Sequence, residues 1–168
     1  MQAASRFNQL FAALAVVAIS QIAPATAQET TAFGNWQVNC AASQEGAAKA
    51  CSAGQAVVTA DKKELLFGWQ WAFNAKNALV ATLRTRPGLQ QDKGILIQFK
   101  PKEPSVILFR ECNAEFCETA FQVTRDQLAD VLGASDIKLA IFPVEGKPIS
   151  IKLPTKGLKE ALQALKAK

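Results

Sequence analysis

Four cysteines carry the most reactive side chains of this chain: Cys40, Cys51, Cys112 and Cys117. Three carboxylates, Glu111, Glu115 and Glu118, crowd around the second pair. Paired carboxylates about 5 to 10 Å apart can do acid–base work on a glycosidic bond. Thiolates can bind zinc, exchange electrons or close disulfides. The chain has no histidine and no tyrosine. That removes the Ser-His-Asp triad, the Cys-His dyad, His-ligated zinc and any imidazole or phenol acid–base group. Catalysis would have to rest on carboxylates, Lys, Ser/Thr or Cys.

The spacing of the cysteines narrows their chemistry. Ten residues separate Cys40 from Cys51, and four separate Cys112 from Cys117. Structural zinc favours two knuckles of C-x2-4-C spacing, which a C-x10-C pair does not supply. A thioredoxin-type C-x-x-C is also absent. An even count in an exported chain points to disulfides, and four cysteines allow three pairings. Two local bridges, Cys40–Cys51 and Cys112–Cys117, are the simplest arrangement. Loops of that size give about 2 to 3 kcal/mol each in chain-entropy estimates. No cofactor and no metal are expected.

Export is itself read from the first residues. Arg6 is the one charge before an apolar run from Leu10 to Ile19, and Ala25-Thr26-Ala27 follows Pro24. This is the order of a cleavable secretory signal peptide, with the cut expected after Ala27. The run is half of the roughly 20 apolar residues that a membrane span needs. Residues 28–168 are then a single domain without a transmembrane anchor. The whole sequence carries a net charge of +5, but Lys62-Lys63 is its only adjacent basic pair. Nucleic-acid grooves cluster their basic residues, so no nucleic-acid partner is expected.

The elements that must position these groups are short and mostly β. Leu65 to Phe73 puts Leu65, Phe67, Trp69, Trp71 and Phe73 on one face, the period of a half-buried strand. Asn74–Asn77 reads as a hairpin loop into Leu79–Thr85. Further strands are read at Trp36–Val38, Gln55–Thr59, 94–99, 105–109, from Phe116 to Val123, and around Ile137–Ile141 and Ile149–Leu153. Thr124 with Gln127 makes a capping-box start for a short helix that Gly133 stops. Leu158, Ala161, Leu162 and Leu165 have helical spacing, with start signals at Pro154 and Thr155. The sum is an all-β, antiparallel β-sandwich, disulfide-stapled, with two short helices, one of them C-terminal. The Trp69 and Trp71 rings belong to its core on this reading. A second reading leaves one of them at the rim as a surface for binding glycan or peptide.

In that order the residues resemble a known family. Phe33-Gly34-Asn35-Trp36-Gln37-Val38-Asn39-Cys40, then Cys51, then Cys112 and Cys117 with Ala120, then Lys156-Gly157-Leu158-Lys159-Glu160-Ala161-Leu162 are similar to the invasion-associated locus B pattern. None of these motifs is catalytic, and the resemblance rests on the ordered set. It implies an immunoglobulin-like sandwich and an exported periplasmic or envelope-associated protein of alphaproteobacteria. Some members are linked to host-cell invasion. The chain departs from the pattern at Glu115-Phe116-Cys117, where glycine is frequent before the second cysteine, and at Leu158, where phenylalanine is frequent. Asn113 is expected to supply any unusual backbone conformation in that turn.

Three function classes follow. The first is a non-enzymatic envelope protein that binds an envelope protein, a cell-wall component or a host-surface component. The second is a glycan-acting enzyme built on Glu111, Glu115 and Glu118. The third is a redox or metal role for the cysteines.

Overall fold

The computed structural model describes residues 29–41, 50–61, 63–99 and 103–167. The leader, and residues 42–49 of the loop between Cys40 and Cys51, lie outside them. Eleven strands and two helices are present among the described residues. The first five strands are β1 (Glu29–Phe33), β2 (Trp36–Cys40), β3 (Cys51–Val58), β4 (Leu65–Phe73) and β5 (Leu79–Thr85). Then come β6 (Ile95–Gln98), β7 (Ser105–Ile107), β8 (Glu111–Cys112) and β9 (Cys117–Gln122). Helix α1 (Arg125–Leu132), β10 (Asp136–Ile141), β11 (Ile149–Pro154) and helix α2 (Leu158–Lys166) complete the order.

The strands form two antiparallel sheets. The larger has the order β1-β2-β3-β4-β5-β9-β8, and the smaller β11-β10-β6-β7. This strand order does not by itself establish the immunoglobulin-like topology that the resemblance implies. That fold splits its strands as ABED on one sheet and CFG on the other. In this chain β1 to β5 run as one uninterrupted meander. Tight turns such as Gly34-Asn35 and Asn74–Asn77 keep neighbours in the sequence paired in one sheet. The crossing to the smaller sheet waits for the longer connection after Thr85.

Alternation fixes which faces are buried. Phe67, Trp69 and Trp71 of β4 lie inside with Ala81 and Leu83 of β5. From the smaller sheet come Ile95, Ile97, Ile137, Leu139, Ile141, Ile151 and Leu153. These side chains belong to one apolar cluster. Its aromatic centre is Trp36 edge-on to Trp71 at 6.4 Å and Trp71 stacked on Trp69 at 5.4 Å. Such ring pairs add about 0.5 to 1.5 kcal/mol beyond the area they bury. The indole N–H groups of Trp69 and Trp71 are buried without a hydrogen-bond partner. Their polar cost is set against the large apolar area of each ring.

Several elements differ from their sequence-based outlines: the strand expected at 105–109 ends at Ile107, and Glu111–Cys112 is a separate strand in the other sheet. Strand β1 carries no local strand signal, because its Thr-Thr-Ala stretch is exposed at the sheet edge and has no buried alternation. Strand β3 begins four residues before Gln55, at Cys51. Helix α2 starts at Leu158 rather than at Thr155. The reason is local. The Thr155 hydroxyl donates to the Ala134 carbonyl, and its N–H donates to the Ser135 carbonyl at 3.1 Å. Thr155 therefore serves the α1–β10 connection, and Gly157 takes the N-cap at φ +92°. The capping box on α1 has the expected form, with Gln127 N–H on Thr124 Oγ1 at 3.2 Å and Thr124 N–H on Gln127 Oε1 at 2.9 Å.

One junction ties the sheets together. The β1–β2 turn meets the segment leading from β11 to α2. Asn35 N–H donates to the Lys156 carbonyl at 3.2 Å. Trp36 Nε1 and Gln55 Nε2 both donate to the Pro154 carbonyl, each at 3.2 Å. A Cβ at Gly157 would overlap the Phe33 carbonyl, and one at Gly34 would sit 2.7 Å from the Lys156 oxygen. Both positions have positive φ, so they need glycine twice over. Helix α2 then packs on β1 to β4 through Leu158, Ala161, Leu162 and Leu165.

Gly157→Ala is expected to lower unfolding stability by about 3 kcal/mol or more, since backbone overlap adds to left-handed strain. Gly146 also has positive φ but open space around it. Gly146→Ala is expected to cost about 1 kcal/mol. Urea unfolding of the two variants measures the difference, and equal costs would remove the close-approach explanation.

Candidate functional site

The three glutamates and one of the two cysteine pairs gather at the β8–β9 end of the larger sheet, and the other cysteine pair joins β2 to β3. Strands β8 and β9 make a tight hairpin in which Cys112 faces Cys117 and Glu111 faces Glu118. A disulfide joins Cys112 to Cys117, with S–S 2.03 Å. A second joins Cys40 to Cys51, with S–S 2.09 Å, again between residues that face each other on paired strands. The chain has no free cysteine. A redox-active or metal-binding thiol would need one of these bridges opened first. Among the described residues, no three His, Cys, Asp or Glu side chains converge as a metal site.

Asn113 closes the hairpin turn through its side chain. Its side-chain oxygen accepts from Glu115 N–H at 2.8 Å and from Phe116 N–H at 3.0 Å. Its own N–H donates to the Phe116 carbonyl at 2.9 Å. The expected unusual backbone is absent, because Asn77 is the non-glycine with positive φ among the described residues. An Asx-type side-chain turn closes the hairpin without a left-handed residue.

The three glutamates share one hairpin, but two of them already have partners of their own. Glu118 receives the Arg84 guanidinium on one carboxylate oxygen, from Nε at 2.7 Å and Nη2 at 2.5 Å. The same guanidinium lies 4.3 Å from the centre of the Phe116 ring. Glu111 accepts from Asn113 Nδ2 at 3.3 Å. Glu115 is exposed on the turn. Glu118 is thus tied to a cation, and Glu115 borders an open hollow with Arg84 and Phe116. The sequence missed Arg84 as the organiser of this cluster. Its partnership with Glu118 depends on β5 pairing with β9, a register that no local pattern announces.

Asp61 has a lowered pKa. Hydrogen bonds from the Thr59 hydroxyl and then from Lys63 N–H hold its carboxyl below the usual aspartate value. It is fully exposed on the β3–β4 turn, so the shift describes turn closure rather than a reactive centre.

The surface reading of Trp69 and Trp71 is overturned. They are 0% and 1% exposed, stacked inside the core. Period two on a central strand sends both rings inward together. The opposite face of the same strands carries small and polar residues instead. Gln37, Gly54, Gln70 and Thr82 line up across β2 to β5 as successive cross-strand partners. With Arg84 and Glu118 they border a shallow hollow of about 260 Å³.

Fold and site together define a β-domain of two antiparallel sheets pinned by two cross-strand disulfides, with its reactive side chains closed or dispersed. A family model described as "Invasion associated locus B (IalB) protein" matches residues 36–166. The chain belongs to this family. A solved structure, the crystal structure of invasion associated protein b from Bartonella henselae, is similar, with a TM-score of 0.70 and 22% identity. The match covers 83% of this chain and 95% of that one, and it bears on the fold alone. No curated protein matches the chain.

Non-reducing mass spectrometry of the folded protein is expected to find all four thiols oxidised and no label from a thiol reagent. Cys40→Ser with Cys51→Ser is expected to cost about 2 to 3 kcal/mol in unfolding stability. Prompt labelling of any cysteine in native buffer would restore the redox reading.

Proposed function

We propose that the chain is an exported, non-enzymatic protein of the cell envelope that binds an envelope or host-surface component. The observation that carries this reading is the closure of all four cysteines into two bridges in a chain of this family. Such bridges persist in oxidising compartments and are rare in the cytosol. The leader Met1–Ala27, with its cut before Gln28, is part of the same reading. So is the arrangement of the two sheets as the layers of a sandwich, supported by the single core to which both contribute. The described residues contain no helix long and apolar enough to cross a membrane. Support of host-cell invasion is the extended form of the proposal, suggested by the name of the similar Bartonella protein.

A scaffold of this kind binds through sheet faces, sheet edges and loops. Its outer strand faces are open, and its aromatic rings are committed to the core. The test is in situ crosslinking of the exported protein followed by identification of captured partners. Specific capture that survives Glu115→Gln is expected, together with no turnover of peptidoglycan fragments. Turnover abolished by Glu115→Gln would contradict a binding role, and so would capture no better than a scrambled-surface control.

A further inference from the structure

The outer face of the smaller sheet carries a charge arrangement that the fold itself does not explain. Lys138 on β10 and Lys152 on β11 are direct cross-strand partners, and both are exposed. Like charges placed opposite each other destabilise a ladder. Lys152 lies 3.9 Å from Asp136, whereas Lys138 has no ion-pair partner among the described residues. The pair is therefore tolerated at a cost that a bound anion would relieve.

Beside the basic row runs an apolar one. Val106 faces Leu96, Leu96 faces Ala140, and Ala140 faces Ser150. Val106 is 55% exposed, and Leu108, two residues further along, is 58% exposed. Leu96, Pro104, Ala140 and the two lysines border a shallow cavity of about 490 Å³. At the other end of the face, Lys93 lies 5.5 Å from the Phe142 ring. Exposed valine and leucine at the edge of a sheet invite aggregation unless something covers them. An occupant must therefore supply negative charge and apolar contact together.

We propose that this face docks on an anionic lipid layer. Lys138 and Lys152 meet lipid phosphates, and Val106 and Leu108 enter the boundary between headgroups and acyl chains. This names a partner chemistry for the binding role proposed above. The two readings fail separately, because a captured protein partner without lipid binding would leave the binding role standing.

The test is sedimentation of the full exported protein with vesicles. Strong binding is expected with phosphatidylglycerol and phosphatidylethanolamine mixtures, and little with phosphatidylcholine alone. It should weaken as salt rises. A lysine near an anionic surface is worth about fivefold in binding, so Lys138→Glu with Lys152→Glu is expected to lower it by about 25-fold or more. Lys76→Glu with Lys159→Glu makes the same change in net charge away from this face and is expected to change binding less than about threefold. Val106→Ser with Leu108→Ser is expected to weaken binding with the salt dependence kept. Near-ultraviolet circular dichroism confirms the fold of each variant, and Lys138→Gln with Lys152→Gln replaces any variant that fails it. Equal losses from the two charge pairs would overturn the proposal in favour of general basicity. Binding of inorganic phosphate without vesicle capture would also overturn it. So would a concentration-dependent dimer abolished by Val106→Ser, which would give the face to a second copy.

Discussion

The carbonyl groups of Phe33, Pro154 and Lys156 meet where the beginning and the end of the domain touch, and the rest of the fold depends on that contact. The Pro154 oxygen takes hydrogen bonds from Trp36 and Gln55, which belong to the larger sheet. Pro154 itself ends the edge strand of the smaller one. Glycine at 34 and 157 lets the two backbones approach within a distance that a methyl group would forbid. From that point α2 lies back across β1 to β4 and covers the end of the core that Trp36 begins to fill. The two segments that carry the family pattern at each end of the chain thus meet as one structural unit.

Much of this architecture was legible because it is local. Period-two alternation located β4 and β5, since each buries one face and exposes the other. The capping box located α1 because its hydrogen bonds span three residues. The two short spacings favoured local bridges because each lies across one hairpin. What stayed hidden is non-local. Pairing of β9 with β5 brings Glu118 to Arg84 and sets the charge of the hairpin end. The start of α2 moved because Thr155 answers to Ala134, twenty-one positions earlier. The strand order of the larger sheet could not be read from the spacing of turns. Among the candidate site residues, the spacing of Trp69 and Trp71 placed both rings on one face but did not say that the face was fully enclosed.

The chemistry of the chain is defined by where its reactive groups end up. Cysteines that could have exchanged electrons are joined to the residue facing them across a ladder. A glutamate that could have acted on a sugar is held by a guanidinium that also rests on Phe116. Such a cluster rigidifies one end of the sheet and leaves the wide strand faces free for contact. The two faces differ in character. The larger presents amides, hydroxyls and small residues. The smaller presents opposed lysines beside valine and leucine. The chain therefore presents a polar face on its larger sheet and an amphipathic cationic face on its smaller one.

If the junction and the shared core make a single cooperative unit, the two sheets must unfold together. Native-state hydrogen exchange across a denaturant series measures this directly, strand by strand. Amides of β4 and β5 in the larger sheet and of β10 in the smaller are expected to converge on one opening free energy, equal to that of global unfolding. Convergence of β10 and β6 on a distinctly lower value would show that the smaller sheet opens alone, and would contradict the dependence of the fold on the Gly34–Gly157 contact.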